Sequence, residues 1–377
     1  MVTLSKINNP STKKLKILVA PLDWGLGHAT RCIPIIKELL KNKCEVWIAA
    51  SGDQKTLLEE EFPFGSFIEI PGYEIKYGKN RTSTLLLLIF AIPKILIRIK
   101  QEKAWLAAFQ ARENPDAVIA DNRYGLHAPG LVSIFITHQL CIRTSFGRFA
   151  DSFLQRINYR LISRFNRCWV PDGENEDSLA GELSHPDKLP NIPVRYIGHL
   201  SRMEPINAPY SCDLLILLSG PEPQRTIFEQ LILAQLPDCP GNVILIRGLP
   251  RVKVNPIVPD HVKIYGHLPA PELNAVIAGS GMVISRAGYS TIMDLMKLGK
   301  KAILVPTPGQ TEQEYLGEYL YTRKIAISTD QTGFVLKDAL EKARVFPFNS
   351  SPIADESANE FLAREVNLLL EKLIPSS

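Results

Sequence analysis

Residues 282–319, MVISRAGYSTIMDLMKLGKKAILVPTPGQTEQEYLGEY, put an apolar run, a small flexible turn, a helically spaced pattern, a second apolar run and a polar loop in direct succession. The order predicts a strand over 282–285, a turn at Arg286-Ala287-Gly288, a helix over 289–298 with Ile292, Leu295 and Met296 on one face, and a strand over 302–305. A strand that feeds a helix through a glycine turn belongs to an α/β sheet. The start of such a helix offers unpaired N–H groups and a positive dipole end to an anion. One turn in, Asp294 can reach a sugar hydroxyl. The loop over 306–313 holds two prolines, a glycine, Gln310 and Gln313, the composition of a rigid turn with neutral hydrogen-bonding groups. Phosphate, ribose and a second polyol in sequence suggest a nucleotide-sugar.

At 377 residues the chain is too long for one core, since single domains stop at roughly 250 residues. In the first half, apolar runs predict strands at 16–20, 45–50, 67–70, 117–120, 131–136, 168–170 and 194–197, with a helix over 29–40. After a turn-rich segment, 197–210, the pattern restarts with strands at 214–218, 243–246, 262–265, 282–285, 302–305 and 325–327. Continuously apolar strands separated by helices imply parallel sheets covered on both faces. The expected organisation is a first α/β domain over 1–200, a linker over 201–210 and a second domain over 211–356. The amphipathic helix over 357–373 is free to pack on either domain. Each half opens with a strand and a glycine turn, which puts the active site between the domains.

Composition narrows the class further. Hydrophobic content of 45% with 22% charged residues fits a globular chain, and a net charge of +4 is too small to argue for nucleic acid. The six cysteines have neither Cys-x-x-Cys nor Cys/His spacing, so buried thiols in a reducing cytoplasm are expected and no metal. The N-terminus is polar up to Lys16 and lacks the apolar core of a signal peptide. Leu85 to Ile99 is the most apolar segment, yet it is shorter than the ~20 residues of a spanning helix and contains Pro93, Lys94 and Arg98. It fits either a buried core helix or an interfacial surface for anionic lipid. Arg156, Arg160, Arg164 and Arg167 are spaced to share one helical face, either a solvated face or a basic patch.

Asp23-Trp24-Gly25-Leu26-Gly27-His28 lies between a strand and a helix, where Gly25 and Gly27 let a ligand approach the backbone. As G-x-G-x-x-T it is a weak dinucleotide fingerprint, and a nicotinamide oxidoreductase stands as an alternative. His28, in the first helical turn, is biased to its neutral form and suits a general base; the plain alternative is a capping or substrate-binding histidine. Asp23 and Asp121 are alternative bases at strand ends. His138-Gln139 follows an apolar run and faces the same crevice, whereas His127, His185, His199 and His261 read as structural or exposed.

Together, the loop ending in Gly27-His28, the turn Leu218-Ser219-Gly220 and SRAGYSTIMDLMKLGKKAILVPTPGQTEQEY resemble the family 28 glycosyltransferases. That family includes the MurG-type N-acetylglucosaminyltransferase and diacylglycerol glycosyltransferases. The resemblance implies the GT-B fold, two Rossmann-like doubly wound domains facing a cleft, and inversion at the anomeric carbon without a metal or other cofactor. On this sequence it implies that Ser219, Gly220, Ala287, Gly288 and Tyr289 meet the donor pyrophosphate, and that Gly266, His267 and Leu268 read a uracil. Asp294 stands where the family places a ribose-binding glutamate, one methylene longer. Gln313 matches the first of a sugar-binding Gln-Gln pair and Glu314 replaces the second, which leaves the donor sugar open. His28 matches the histidine of the acceptor loop, and Leu85 to Ile99 falls where the family docks on membrane. The expected activity is transfer from a UDP-sugar to a hydroxyl of a lipid-linked or other acceptor, in the cytoplasm or peripherally on the inner face of the plasma membrane. Alternatives are a nucleotide-sugar epimerase of the same architecture and a non-catalytic nucleotide-sugar or lipid-binding protein.

Overall fold

Strands such as KILVAP and AVIAD are buried along nearly their whole length, so they need helices on both faces. The computed structural model describes residues 14–73, 78, 81–144, 147–174, 178–250, 252, 254–349 and 357–374. In the first half, β1 (Lys16–Pro21), β2 (Glu45–Ala49), β3 (Ser66–Ile68), β4 (Ala117–Asp121), β5 (Val132–Ile136), β6 (Arg167–Val170) and β7 (Val194–Tyr196) form one parallel sheet, ordered β3-β2-β1-β4-β5-β6-β7. Helices α1 (Leu26–Lys41), α2 (Gly52–Glu61), α3 (Arg81–Glu113) and α4 (Arg148–Ile162) connect its strands. The second half repeats the scheme with β8 (Cys212–Leu217), β9 (Val243–Ile246), β10 (Val262–Tyr265), β11 (Ser280–Ser285), β12 (Ala302–Leu304) and β13 (Ile327–Ser328), ordered β10-β9-β8-β11-β12-β13. Its helices are α5 (Gln224–Leu233), α6 (Ala270–Ala278), α7 (Tyr289–Lys297), α8 (Thr311–Thr322) and α9 (Leu336–Val345); α10 (Ser357–Leu373) follows. The molecule is therefore the expected pair of doubly wound parallel-sheet domains.

Strand order locates the ligand crevices. In the first sheet the order reverses between β1 and β4, where Pro21 is in register with Asp121. In the second it reverses between β8 and β11, where Leu217 pairs with Ser285. Ligands of open α/β sheets bind outside the carboxyl ends at such switch points. His28 and Asp121 lie at the first, and Ser219 and Gly288 at the second.

The two switch points are held face to face. Helix α1 packs on both α7 and α10. One continuous apolar cluster includes Ile33 of α1, Ile292 and Met296 of α7, and Val366 and Leu369 of α10. Glu365 of α10 is buried and lies 3.6 Å from Arg167 and 3.8 Å from Arg195, so the last helix meets the first domain.

One expectation holds and another changes. The apolar segment is only part of α3, a 33-residue helix that contains Pro93, and among the described residues no helix is long and apolar enough to cross a membrane. The four-arginine face is interrupted, because α4 ends at Ile162. Arg164 lies beyond the helix and Arg167 opens β6, where pairing to Glu365 fixes it. Spacing alone cannot register that the chain turns back into the sheet after Ile162.

Candidate active site between the domains

Gly25 caps α1 with φ +89°, a conformation that favours glycine. Gly27 is needed for proximity. A Cβ there would sit 3.1 Å from Ser290 Oγ, and the Gly27 carbonyl accepts a hydrogen bond from that hydroxyl at 2.8 Å. The first turn of α1 thus presents His28 directly opposite the start of α7.

His28 Nδ1 lies 2.9 Å from Oδ2 of the fully buried Asp121. Arg31, three residues further along α1 and 2% exposed, donates Nε–H to the same oxygen at 2.8 Å and an Nη2 hydrogen to Oδ1. Burial alone would raise the Asp121 pKa, but Arg31 and His28 outweigh it and hold the carboxyl at about 2. Nδ1 thus faces two partners of opposite demand, the Asp121 carboxylate, which only accepts, and the Arg31 guanidinium, which only donates. Arg31 Nη2 also lies 2.8 Å from Nδ1. Burial first, and this cation second, lower the His28 pKa against the opposing pull of Asp121, so the ring is neutral near pH 7.

Arg31 reaches a second histidine, with Nη1 3.0 Å from His138 Nδ1. A guanidinium can only donate. His138 therefore carries its proton on Nε2, which lies 2.7 Å from Glu312 Oε1 on α8 of the other domain. The His138 ring also stacks on Tyr289, with centroids 4.2 Å apart and planes 7° from parallel. Tyr289 donates its hydroxyl to the Pro171 carbonyl at 2.8 Å. In this way the side chain of Tyr289 braces the domains while its backbone opens α7.

The other sequence candidates have distinct places. Asp23 accepts the Tyr73 N–H at 2.9 Å and lies 3.7 Å from Arg123, which ties it to the segment after Ile70. Gln139 Nα donates to Thr137 Oγ1 at 3.0 Å. Ala287 is fully buried behind the α7 start. Gly220, at φ +99°, faces Thr307, whose buried hydroxyl has no hydrogen-bond partner. Ser219, half-buried, precedes Gly220 at the end of β8. Arg286 is not part of a small flexible turn. It is 1% exposed, lies over Phe228 at 4.3 Å and donates to the carbonyls of Val305 and Gln224. Burial brings its pKa down to about 9.

On the loop after β12, Gln313 Oε1 accepts the Thr307 N–H at 2.9 Å and Glu314 Oε1 accepts the Gly309 N–H at 3.0 Å. Both shape the loop, while Glu312 faces across the cleft. Gln310 caps α8, its backbone N–H bonded to the Thr307 carbonyl at 3.0 Å. Asp294 accepts the Ser201 hydroxyl at 2.6 Å, and burial pushes its carboxyl up to about 6. After β10, Gly266 packs against the Val252 and Leu249 carbonyls, Leu268 enters the core, and His267 Nε2 lies 3.6 Å from Glu60 of α2. Arg31 and Glu312 escaped the sequence reading. The signal for Arg31 was a lone cation in the apolar stretch ATRCIPII, on the same helical face as His28.

Residues 261–362, which contain α7, α8 and the loop between them, match the glycosyltransferase family 28 C-terminal domain. The second domain thus carries a family 28 glycosyltransferase C-terminal domain. Over 349 residues it is 26% identical to an uncharacterised glycosyltransferase of Methanosarcina acetivorans, covering 84% of this chain and 86% of that protein. A second relative, from Caldanaerobacter subterraneus, is the UDP-N-acetylglucosamine–N-acetylmuramyl-(pentapeptide) pyrophosphoryl-undecaprenol N-acetylglucosamine transferase, 25% identical over 310 residues with 77% and 79% covered. Among solved structures, the spinosyn rhamnosyltransferase SpnG complexed with thymidine diphosphate superposes with a TM-score of 0.59 at 16% identity, covering 95% of this glycosyltransferase and 100% of that chain. The two-domain GT-B architecture is thus shared with that solved structure.

Proposed function

We propose that this glycosyltransferase inverts the anomeric centre of a UDP-sugar while moving the sugar to a hydroxyl of a lipid-linked acceptor. The observation that carries the reading is the meeting of two unlike switch points: a carboxylate-oriented histidine on one domain and a helix N-terminus on the other, joined at Gly27 and Ser290. In this reading His28 Nε2 takes the acceptor proton as the hydroxyl oxygen attacks the anomeric carbon from the face opposite the diphosphate. The bond from that carbon to the diphosphate oxygen breaks, and its electron pair leaves with the nucleotide. Asp121 holds the ring and balances the imidazolium, a role for which its low pKa keeps it ionised. Backbone N–H groups at Gly288 and Tyr289, with those near Ser219 and Gly220, receive the diphosphate charge, so no resident metal is required. The nucleotide in the SpnG complex, a pyrimidine nucleoside diphosphate, supports this class of donor.

Support for a lipid acceptor comes from two adjacent helices. On α3, Phe90 is 76% exposed and Leu96 and Ile97 more than half; on α4, Phe149 is 95% and Phe153 64% exposed, beside Arg156 and Arg160. Ile95 and Ile99 of α3 share an apolar cluster with Leu161 of α4, so the two helices meet at that cluster. Apolar residues flanked by arginines suit the surface of an anionic bilayer, with the protein peripheral to it. The test is purified protein with UDP- and TDP-sugars and vesicles carrying membrane lipid extract. Acceptor-dependent nucleotide release with an inverted glycosidic product is expected. Turnover of donor to an epimer, or donor binding without turnover in every acceptor mixture, would sink the proposal.

A further inference from the structure

The charged groups around His28 do not all come from its own domain. Helix α1 contributes Arg31 and Cys32, β4 contributes Asp121, the segment after β5 contributes His138, and the second domain adds Glu312 of α8 and Tyr289 of α7. Asp121, Arg31, His138 and Glu312 form an unbroken hydrogen-bonded row with alternating donors and acceptors. Its two ends lie on different domains, and its third member has no freedom of tautomer.

From this row we infer that His138 and Glu312 are positioning residues that make the charge environment of the base His28 depend on contact between the two domains. The inference rests on the reading of His28 as the base and adds a condition to it. Within the first domain, Arg31 is balanced by Asp121 alone, and the guanidinium opposes a proton on His28. When α8 meets His138, the Glu312 carboxylate brings a second negative charge into the cluster. It tightens His138 on Arg31, drawing the cation towards His138, and it favours the imidazolium that forms as the acceptor loses its proton. Separation of the domains removes that carboxylate. Base strength would then be greatest when donor-side and acceptor-side helices are together, which couples proton transfer to assembly of the complete site.

Glu312 is about one third exposed and Glu312→Gln preserves its shape, so the substitution removes the charge without emptying a core position. The test is the titration of His28 followed by NMR of the isotope-labelled full chain, with and without UDP. In Glu312→Gln the His28 midpoint falls by roughly half to one unit, and the acid limb of kcat moves to lower pH in the same direction. His138→Phe keeps the stack on Tyr289 and removes both hydrogen bonds; in that background Glu312→Gln adds less than half of its single-variant shift. An unchanged His28 midpoint in Glu312→Gln, or additive shifts in the double variant, would overturn the inference. Because the titration needs no acceptor, it stays readable even if the unsubstituted protein transfers no sugar, an outcome that would count against the proposed function instead.

Discussion

Ser290 Oγ, in the first turn of α7, donates to the Gly27 carbonyl at 2.8 Å. The helix that would receive donor phosphates is therefore hydrogen-bonded to the turn that carries His28. Gly27→Ala tests how closely the two must approach. Alanine favours the α1 helix by roughly 0.5–1 kcal/mol over glycine, yet its Cβ would press on Ser290 Oγ at 3.1 Å. The expected outcome is an unchanged or raised melting temperature with kcat/KM lower by roughly tenfold. Ser290→Gly in the same chain should recover part of that loss, as steady-state kinetics will show.

Asp121 ties activity to stability. Asp121→Asn leaves the buried Arg31 without its counter-charge, at a cost of roughly 3–5 kcal/mol, and removes the group that orients His28. Turnover should fall by about 10² or more. A carboxyl whose pKa is about 2 when folded, below its usual value of 3.8, contributes stability that is complete above about pH 4 and is lost as pH falls towards 2. Denaturant midpoints between pH 5 and pH 2 should decline less steeply for Asp121→Asn than for the unsubstituted chain.

The sign is opposite at Asp294. Burial raises its carboxyl to about 6, so folding is penalised increasingly as pH rises from about 4 through 6. Asp294→Asn keeps an oxygen for the Ser201 hydroxyl and should gain stability relative to the unsubstituted chain at pH 8 but not at pH 4. Calorimetry with UDP on the same variant measures any ribose contact, expected as a tenfold or greater loss of affinity.

Phe149 and Phe153 are open to solvent on α4, so replacing both with Glu should move stability by no more than about 0.5 kcal/mol per site. Flotation with anionic vesicles is expected to drop at least tenfold, while donor binding by calorimetry stays unchanged. Retained flotation would remove the lipid surface from the account.

The diphosphate is expected to be stabilised by backbone dipoles. Among the described residues no group of three or more His, Cys, Asp or Glu side chains is arranged to hold a metal. EDTA should leave the transfer rate within twofold, and a loss restored by added magnesium would contradict that part of the mechanism.

What could be read from sequence followed from periodicity and from strand ends. Apolar runs such as KILVA and VILI placed the strands within a residue or two, and the glycine turns put His28 and Gly288 at switch points. Chemistry carried by side chains that leave their own element was hidden. Glu312, Gln313 and Glu314 are consecutive on α8, and a helix turns about 100° per residue, so their side chains diverge; only the fold shows that Glu312 crosses to His138 while its neighbours shape the loop. Arg286 looked like part of a flexible turn because its burial comes from Gln224, Val305 and Phe228, residues distant in sequence. The arginine spacing on α4 could not reveal the end of the helix at Ile162.

The central claim is that a histidine positioned by a buried carboxylate removes the acceptor proton. Transfer from a UDP-sugar should be measured for His28→Ala beside UDP affinity by calorimetry. The account predicts a fall in kcat of about 10²–10⁴ with UDP affinity within threefold of the unsubstituted protein. Full transfer activity in His28→Ala would contradict it.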